Sequence, residues 1–207
     1  MGPEIGIVLK GVSLEVSRGD RCLFSNLTFQ LKSGQMALVT GPNGCGKTSL
    51  LRVLAGLALP SAGRAMLENT DVHRLLPERR RDLAFQGHLD GLKKELTTRE
   101  NLEFFHQLWG GLDEVGKVLA DLKLTQVADY PVRYLSAGQR RRAVLGGLRL
   151  RPAIFWILDE PLTGLDAAGI GIVLGWLKKH LEGGGMAVIA THQDQLFSGS
   201  YALNIEL

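Results

Sequence analysis

Eight residues at positions 41–48, GPNGCGKT, combine three glycines with a lysine and a threonine. Their spacing matches the pattern G-x-x-x-x-G-K-[ST], in which a glycine-rich backbone wraps around phosphate groups. Main-chain N–H groups and the start of the following helix attract the phosphate charge. The lysine reaches the β- and γ-phosphates, and the threonine hydroxyl can coordinate Mg²⁺. The stretch therefore predicts a nucleoside triphosphate site formed by Gly41, Pro42, Asn43, Gly44, Cys45, Gly46, Lys47, Thr48 and Ser49.

Two carboxylates, Asp159 and Glu160, directly follow the apolar run AIFWIL at residues 153–158. An aspartate at the end of a buried strand beside a phosphate loop is placed to hold Mg²⁺, directly or through water. The adjacent glutamate can then orient or deprotonate an attacking water, which is general-base chemistry. Without the phosphate loop, two solvated carboxylates would be the simpler interpretation. With it, Thr48 and Asp159 are predicted metal ligands and Glu160 a predicted catalytic residue.

The elements that must position these residues indicate an α/β fold. The amino end alternates apolar and polar residues in IGIVLKGVSLEV and CLFSNLTFQL, which predicts antiparallel strands. The runs MALVT, AIFWIL and MAVIAT are short and apolar, as buried strands are, and helical patterns lie between them. Buried strands that alternate with helices predict a mostly parallel sheet covered on both faces. The predicted fold class is a P-loop NTPase core with an antiparallel N-terminal β subdomain.

Residues 87–150 have a different character, because they contain helical patterns such as TRENLEFFHQLWG and no convincing strand. We interpret them as a helical subdomain inserted into the sheet domain. The predicted organisation is one domain over 1–207, with a core of about 1–86 and 151–207 and a helical subdomain of about 87–150. The subdomain carries the stretch LSAGQ at 135–139, which read alone is only an N-cap for a basic helix.

Composition narrows the possible functions. Hydrophobic residues make up 45% and charged residues 22%, as in ordinary globular proteins, and a net charge of +3 is too small to predict a nucleic-acid partner. Two cysteines, Cys22 and Cys45, form no disulfide framework, which favours a reducing compartment. The start, MGPEIGIVLKGV, lacks the features of a signal peptide, and no apolar run approaches the roughly 20 residues of a membrane span.

Taken in order, GPNGCGKT, LSAGQ, ILDEP, LTGLD and ATH resemble the ATP-binding subunits of ABC transporters over almost the whole chain. The resemblance implies ATP hydrolysis, with ATP and Mg²⁺ as cofactors. In that family, the LSGGQ-type signature of one subunit caps the ATP held by the phosphate loop of another. A second copy of this chain is therefore implied, in a head-to-tail dimer whose signature residues reach across the interface: Ser136, Ala137, Gly138 and Gln139. Ala137 replaces the commoner glycine.

Further residues are assigned through the same resemblance. His192 in ATHQ matches the switch histidine that contacts the γ-phosphate, and Asp166 in LTGLD matches the aspartate that communicates across the dimer. The family glutamine that touches Mg²⁺ and senses the membrane partner has two candidates: Gln86, which follows the strand-like LAF and is preferred, and His88, which counting back from LTTREN favours. Arg18 stands where the family stacks an aromatic ring on adenine; its guanidinium can lie flat on a base or be solvated.

More narrowly, LFSNLTF, RYLSAGQRRR and GH followed by GLKKELTTREN resemble the ATPases of cytochrome c maturation, the haem exporter type. This implies integral membrane partners CcmB and CcmC, release of the haem-loaded chaperone CcmE, and a location on the cytoplasmic face of the bacterial inner membrane. The chain has no recognisable haem-ligand motif, so no direct haem binding is expected. The alternatives are an exporter ATPase for a lipid or drug and a soluble ABC protein that acts on ribosomes or DNA.

Overall fold

The computed structural model describes residues 7–88, 90–111 and 113–207. The expectation that the first residues form no signal peptide falls largely outside this part of the chain. Within the described part, two sheets are present: one purely parallel and one purely antiparallel. The predicted α/β fold class is confirmed.

The parallel sheet forms the centre of the molecule. Its strand order is β6-β7-β8-β3-β9. The predicted buried strands at MALVT, AIFWIL and MAVIAT are confirmed, although the second begins at Phe155 and ends on Asp159, one residue past the apolar run. The strands are β3 (Met36–Thr40), β6 (Leu83–Gln86), β7 (Phe155–Asp159), β8 (Met186–Ala190) and β9 (Leu203–Glu206).

Each central strand is buried on both faces because its apolar run has no polar alternation. In β3, Met36 and Leu38 point to one side of the sheet, and Ala37 and Val39 point to the other. The first side packs against the helices α5 (Ala137–Arg149) and α6 (Ala167–Glu182). The second side packs against α1 (Lys47–Leu54) and the antiparallel sheet. This two-sided burial holds the carboxyl ends of the strands in one rigid edge.

The antiparallel sheet has the order β2-β1-β4-β5. Its first two strands, β1 (Val8–Arg18) and β2 (Arg21–Lys32), are the alternating stretches predicted from the sequence. The strands β4 (Ala62–Leu67) and β5 (Thr70–Asp71) were missed. Their residues, AGRAMLENTD, show little apolar alternation, and β4 exists because it pairs with β1 through contacts such as Leu67 opposite Leu9. Tertiary pairing therefore overrides a weak local signal.

Between β6 and β7 the described residues form helices and turns, with one isolated bridge between Thr97 and Pro131. The inserted helical subdomain is therefore confirmed, while its predicted boundaries stay a prediction. The helices are α3 (Thr98–Trp109), α4 (Val115–Asp121) and α5, and a short α2 (Pro77–Arg80) precedes β6. Capping boxes fix two of the helix starts: Thr97 with Glu100 begins α3, and Ser136 with Gln139 begins α5.

Asn101 ties the segment after β6 to helix α3. The side chain is 2% exposed. Its Nδ2 donates to the carbonyl oxygens of Lys93, at 3.0 Å, and Thr97, at 2.9 Å, while its Oδ1 accepts from the N–H of Lys93 at 2.8 Å. This single amide therefore satisfies main-chain groups of the loop that leads into α3.

Asn101→Ala should lower the free energy of unfolding by about 2–3 kcal/mol, because it leaves several buried polar groups unpaired. Chemical denaturation followed by circular dichroism would measure the loss. Glu103→Ala, at an exposed position of the same helix, is the control and should change stability by less than about 0.5 kcal/mol. Equal effects of the two substitutions would contradict this role for Asn101.

Candidate active site

The phosphate loop connects β3 to α1 and follows a path that only glycine adopts without strain. Gly41 has φ of 138° and Gly46 has φ of 117°. A Cβ on Gly41 would lie 2.5 Å from the carbonyl oxygen of Leu207, and one on Gly46 would lie 3.1 Å from the Phe24 ring. The loop is therefore held between the last residue of the chain and strand β2, and its N–H groups meet at the start of α1.

Lys47 lies inside this loop. Its side chain is 8% exposed, and its Nζ donates to the carbonyl oxygens of Gly41, at 2.7 Å, and Pro42, at 3.1 Å. The loop thus surrounds an ammonium group with its own main chain. The arrangement places one positive charge and several N–H donors around the same concave surface, which is an environment suited to an anion.

Thr48 and Asp159 meet although 111 residues separate them in the chain. The Thr48 Oγ1 donates to the Asp159 Oδ2 at 2.7 Å, and the aspartate is 2% exposed. The contact exists because β3 and β7 are strands of one parallel sheet, so that the start of α1 and the end of β7 lie at the same edge. A hydroxyl and a carboxylate here are oxygen ligands of the kind that Mg²⁺ binds.

His88, the alternative to Gln86, lies beside this pair in the structure. The His88 Nε2 lies 3.3 Å from the Asp159 Oδ2, and the ring is 65% exposed. Gln86 is the last residue of β6 and is buried, with its Nε2 donating to the Gly87 carbonyl at 2.8 Å. The role predicted for Gln86 stays a prediction, as does the choice between Gln86 and His88, and the His88 ring contacts Asp159.

Glu160 sits on a strained turn directly after β7. Its φ is 49°, a left-handed value that is rare for a residue with a side chain. The Oε2 atom accepts from Thr191 Oγ1 at 3.3 Å, from the His192 N–H at 3.4 Å, and from Thr163 Oγ1 at 3.5 Å. The Oε1 atom is buried, has no hydrogen-bond partner among the described residues, and lies 3.6 Å from the His192 Nε2. One carboxylate oxygen is thus anchored and the other is left as an acceptor.

These residues line one cavity of about 910 Å³. It brings together the phosphate loop, both carboxylates, His192, His88 and Arg18. The sequence analysis assigned no role to six further residues of its wall: Arg21, Leu23, Arg141, Thr163, Gly164 and Gln193. Thr163 and Gly164 lie inside LTGLD and Gln193 inside ATHQ, so these motifs were the signal that could have found them. Gln86 lines the neighbouring cavity of about 560 Å³ instead.

The signature residues lie at the start of α5. Ser136 caps the helix by accepting from the Gln139 N–H at 3.2 Å, and Gln139 Oε1 accepts from the Ser136 N–H at 2.8 Å. Ser136 and Ala137 are exposed, so the helix N-terminus faces outward. Of the four signature residues, only Ala137 reaches the wall of this chain's own cavity. An exposed helix N-terminus is available to an anion held by another chain.

Asp166 begins helix α6 in the same surface region. Its Oδ1 accepts from the Gly169 N–H at 2.9 Å, and this bond lowers the pKa of the exposed carboxyl below its usual value. The carboxylate is therefore ionised at neutral pH and acts as the helix cap. Its predicted role in communication between subunits stays a prediction.

The parallel sheet, the phosphate loop at its carboxyl edge and the paired carboxylates together define a P-loop nucleotide-binding domain. The ABC transporter family matches residues 24–163 of the chain. A putative ABC transporter ATP-binding protein from Pyrococcus furiosus has the same fold, with a TM-score of 0.80 over 97% of both chains and 21% sequence identity. The chain belongs to the ABC transporter family and is one of its ATPases.

Sequence relatives narrow the assignment. The protein from Yersinia pseudotuberculosis serotype I (strain IP32953) named cytochrome c biogenesis ATP-binding export protein CcmA is 42% identical over 189 residues, 90% of this chain and 87% of that protein. The CcmA protein of Nitrosomonas europaea is 42% identical over 200 residues, 95% of this chain and 94% of that protein. The family is therefore that of the CcmA-like ABC ATPases. None of the helices in the described ranges is long and apolar enough to cross a membrane.

The position of Cys45 leads to a chemical test of the site. Its thiol is half-buried inside the phosphate loop, whereas Cys22 is exposed on β2. Alkylation with N-ethylmaleimide should lower the affinity for a fluorescent ATP analogue by more than about tenfold, because the adduct occupies space close to the phosphates.

Cys45→Ser should make the protein insensitive to the reagent, while Cys22→Ser should leave it sensitive. ATP added before the reagent should protect the wild-type protein. If Cys22→Ser alone abolished the sensitivity, the thiol that matters would lie outside the loop.

Proposed function

We propose that this ATPase is the nucleotide-hydrolysing subunit of a membrane export complex for cytochrome c biogenesis. The observation that carries the hydrolytic part is the arrangement at the end of β7, where Asp159 contacts the Thr48 hydroxyl at 2.7 Å and Glu160 follows directly. The cytochrome c part rests on the names of the CcmA relatives, which are 42% identical to this chain over nearly its full length.

Mg²⁺ fits the oxygen donors beside the phosphate loop. Thr48 and Asp159 would hold the ion, with His88 or Gln86 next to it. Few protein ligands are expected, since Mg²⁺ in nucleotide sites keeps waters and binds phosphate oxygens. When bound, the ion neutralises charge that develops on the phosphates. Lys47 and the loop N–H groups bind the remaining phosphate oxygens.

Glu160 is proposed as the group that orients and deprotonates the attacking water. Thr191 and the His192 main chain hold one carboxylate oxygen, and the other has no hydrogen bond from the described residues and lies 3.6 Å from the His192 Nε2. A water that hydrogen-bonds to this carboxylate when the nucleotide is bound would be aligned for attack on the γ-phosphate. The exposed ring of His192, which lies 3.6 Å from the Glu160 Oε1, would contact the same phosphate.

The nucleotide is proposed to lie between two copies of the chain. The exposed start of α5, with Ser136, Ala137, Gly138 and Gln139, would cap the ATP held by the other copy, and Asp166 would lie at the same interface. Closure of the dimer then depends on contacts to the γ-phosphate, which hydrolysis removes. Arg18 is proposed to lie flat on the adenine, since it lines the cavity from the end of β1.

Glu160→Gln should reduce kcat for ATP hydrolysis by about 10²–10⁴-fold, because the amide cannot accept the proton of water. Affinity for ATP and ATP-dependent dimerisation should persist, and gel filtration with ATP should detect the dimer. Wild-type turnover in this variant would rule out Glu160 as the general base.

A groove beside the active site is the proposed docking surface for the membrane partner. We define it by Leu57, Phe105, Trp109 and Arg151, which line the cavity of about 560 Å³ that also contains Gln86 and His88. The Arg151 guanidinium lies 3.8 Å from the centre of the Trp109 ring, and burial lowers its pKa to about 10. A pKa of about 10 keeps the group charged at neutral pH.

CcmB and CcmC are the proposed membrane partners, which would place the chain on the cytoplasmic face of the bacterial inner membrane. Hydrolysis would then drive release of the haem-loaded chaperone CcmE, and haem itself would be handled by the partners. An export complex for a lipid or drug is the second candidate, because the groove by itself does not distinguish one permease from another.

Leu57→Ser should weaken the complex by about 1–2 kcal/mol, since an exposed apolar side chain of the groove is removed from the contact. Leu76→Ser, which removes an exposed leucine outside the groove, should have no effect. The measurement is co-purification of membrane proteins with the tagged chain from its native membranes, identified by mass spectrometry. Co-purification of a different permease, or equal losses from both variants, would contradict these assignments.

A further inference from the structure

Arg141 lies on helix α5 and reaches from the signature helix to the turn that carries Glu160. Its Nη2 donates to the main-chain oxygen of Glu160 at 2.5 Å and to that of Asp159 at 3.3 Å. The same side chain lines the wall of the nucleotide cavity. A residue of the helical subdomain therefore holds the backbone of both carboxylates of the core.

The environment of Arg141 is unusual for a guanidinium. Its Nε is buried and has no hydrogen-bond partner among the described residues. Burial lowers the pKa of the group, and the negative charges of Asp159 and Glu160 oppose that shift. A partly desolvated cation is unfavourable unless its partners compensate. Here the compensation comes from the two carbonyl oxygens and the two nearby carboxylates.

The turn that Arg141 contacts cannot hold its shape by local preference. Glu160 has φ of 49°, and a non-glycine residue keeps such a conformation only where its surroundings fix it. The Glu160 N–H donates to the Ala190 carbonyl at 2.9 Å, which fixes one side of the turn. The contact from Arg141 to the Glu160 carbonyl fixes the other side.

We propose that Arg141 is a positioning residue for ATP hydrolysis, which holds the Glu160 main chain in the left-handed turn that aims its carboxylate into the cavity. The inference rests on the proposed role of Glu160 as general base. Arg141 acts through Glu160 and not on the nucleotide, so its removal slows the hydrolytic step and leaves ATP affinity intact.

The first test compares Arg141→Met and Arg141→Lys in the purified complex. Arg141→Met keeps the apolar stem and removes all donors, and kcat should fall at least about tenfold while the Kd for ATP changes less than about threefold. Arg141→Lys keeps a charge and N–H donors, and should recover part of kcat. Arg142→Met is the matched control, since Arg142 on the same helix donates to the distant Leu122 carbonyl, at 3.1 Å.

The second test is a double-mutant cycle measured by single-turnover hydrolysis of radiolabelled ATP. If Arg141 acts through the Glu160 carboxylate, Arg141→Met should slow hydrolysis less than about threefold when Glu160→Gln is already present. A merely structural role would lower the rate by the same factor in both backgrounds, together with the thermal unfolding temperature, and would overturn the inference.

The outcomes separate this inference from the proposed function. Wild-type protein that hydrolyses ATP, together with an unchanged kcat in Arg141→Met, would refute only the positioning role. Loss of ATP affinity in Arg141→Met, with kcat preserved, would also refute it. Absence of hydrolysis in the wild-type complex would overturn the proposed function, and the inference with it.

Discussion

The site depends on the contact between the Thr48 hydroxyl and the buried Asp159 carboxylate, at 2.7 Å. Thr48 lies in the first turn of α1, directly after β3 and the phosphate loop, and Asp159 is the last residue of β7. The contact therefore requires β3 and β7 to lie in one parallel sheet with a shared carboxyl edge. That sheet is rigid because its strands are apolar on both faces and packed on both sides. The phosphate loop is thereby placed beside the carboxylates of Asp159 and Glu160.

Beside this contact, Glu160 is held by residues of two different elements. The loop after β8 supplies Thr191 and the His192 N–H to the Glu160 side chain. Helix α5 supplies Arg141 to the main chain of the same turn. The sheet core and the helical subdomain thus meet at one strained residue, and the strain is held by contacts on both sides.

The nucleotide cavity and the proposed docking groove share part of their lining. His88 and Thr48 line both the nucleotide cavity and the groove that contains Trp109 and Arg151. At the start of α5, Ser136 and Ala137 are exposed, and Ala137 also lines the nucleotide cavity. The proposed dimer surface at the start of α5 and the proposed docking groove beside Gln86 and His88 are formed by different residues. Because Thr48 and His88 line both cavities, the groove adjoins the residues that contact Asp159.

The sequence by itself determined the elements whose signals are local. The glycine and lysine spacing of the phosphate loop predicts anion binding, and the unbroken apolar runs of β3, β7 and β8 predict a buried parallel sheet. Tertiary structure alone decided the rest, because those features depend on residues far apart in the chain. The pairing of β4 with β1 and the reach of Arg141 to Glu160 have no local pattern. Each is set by how the packed elements place side chains around a common edge of the sheet, which no window of sequence contains.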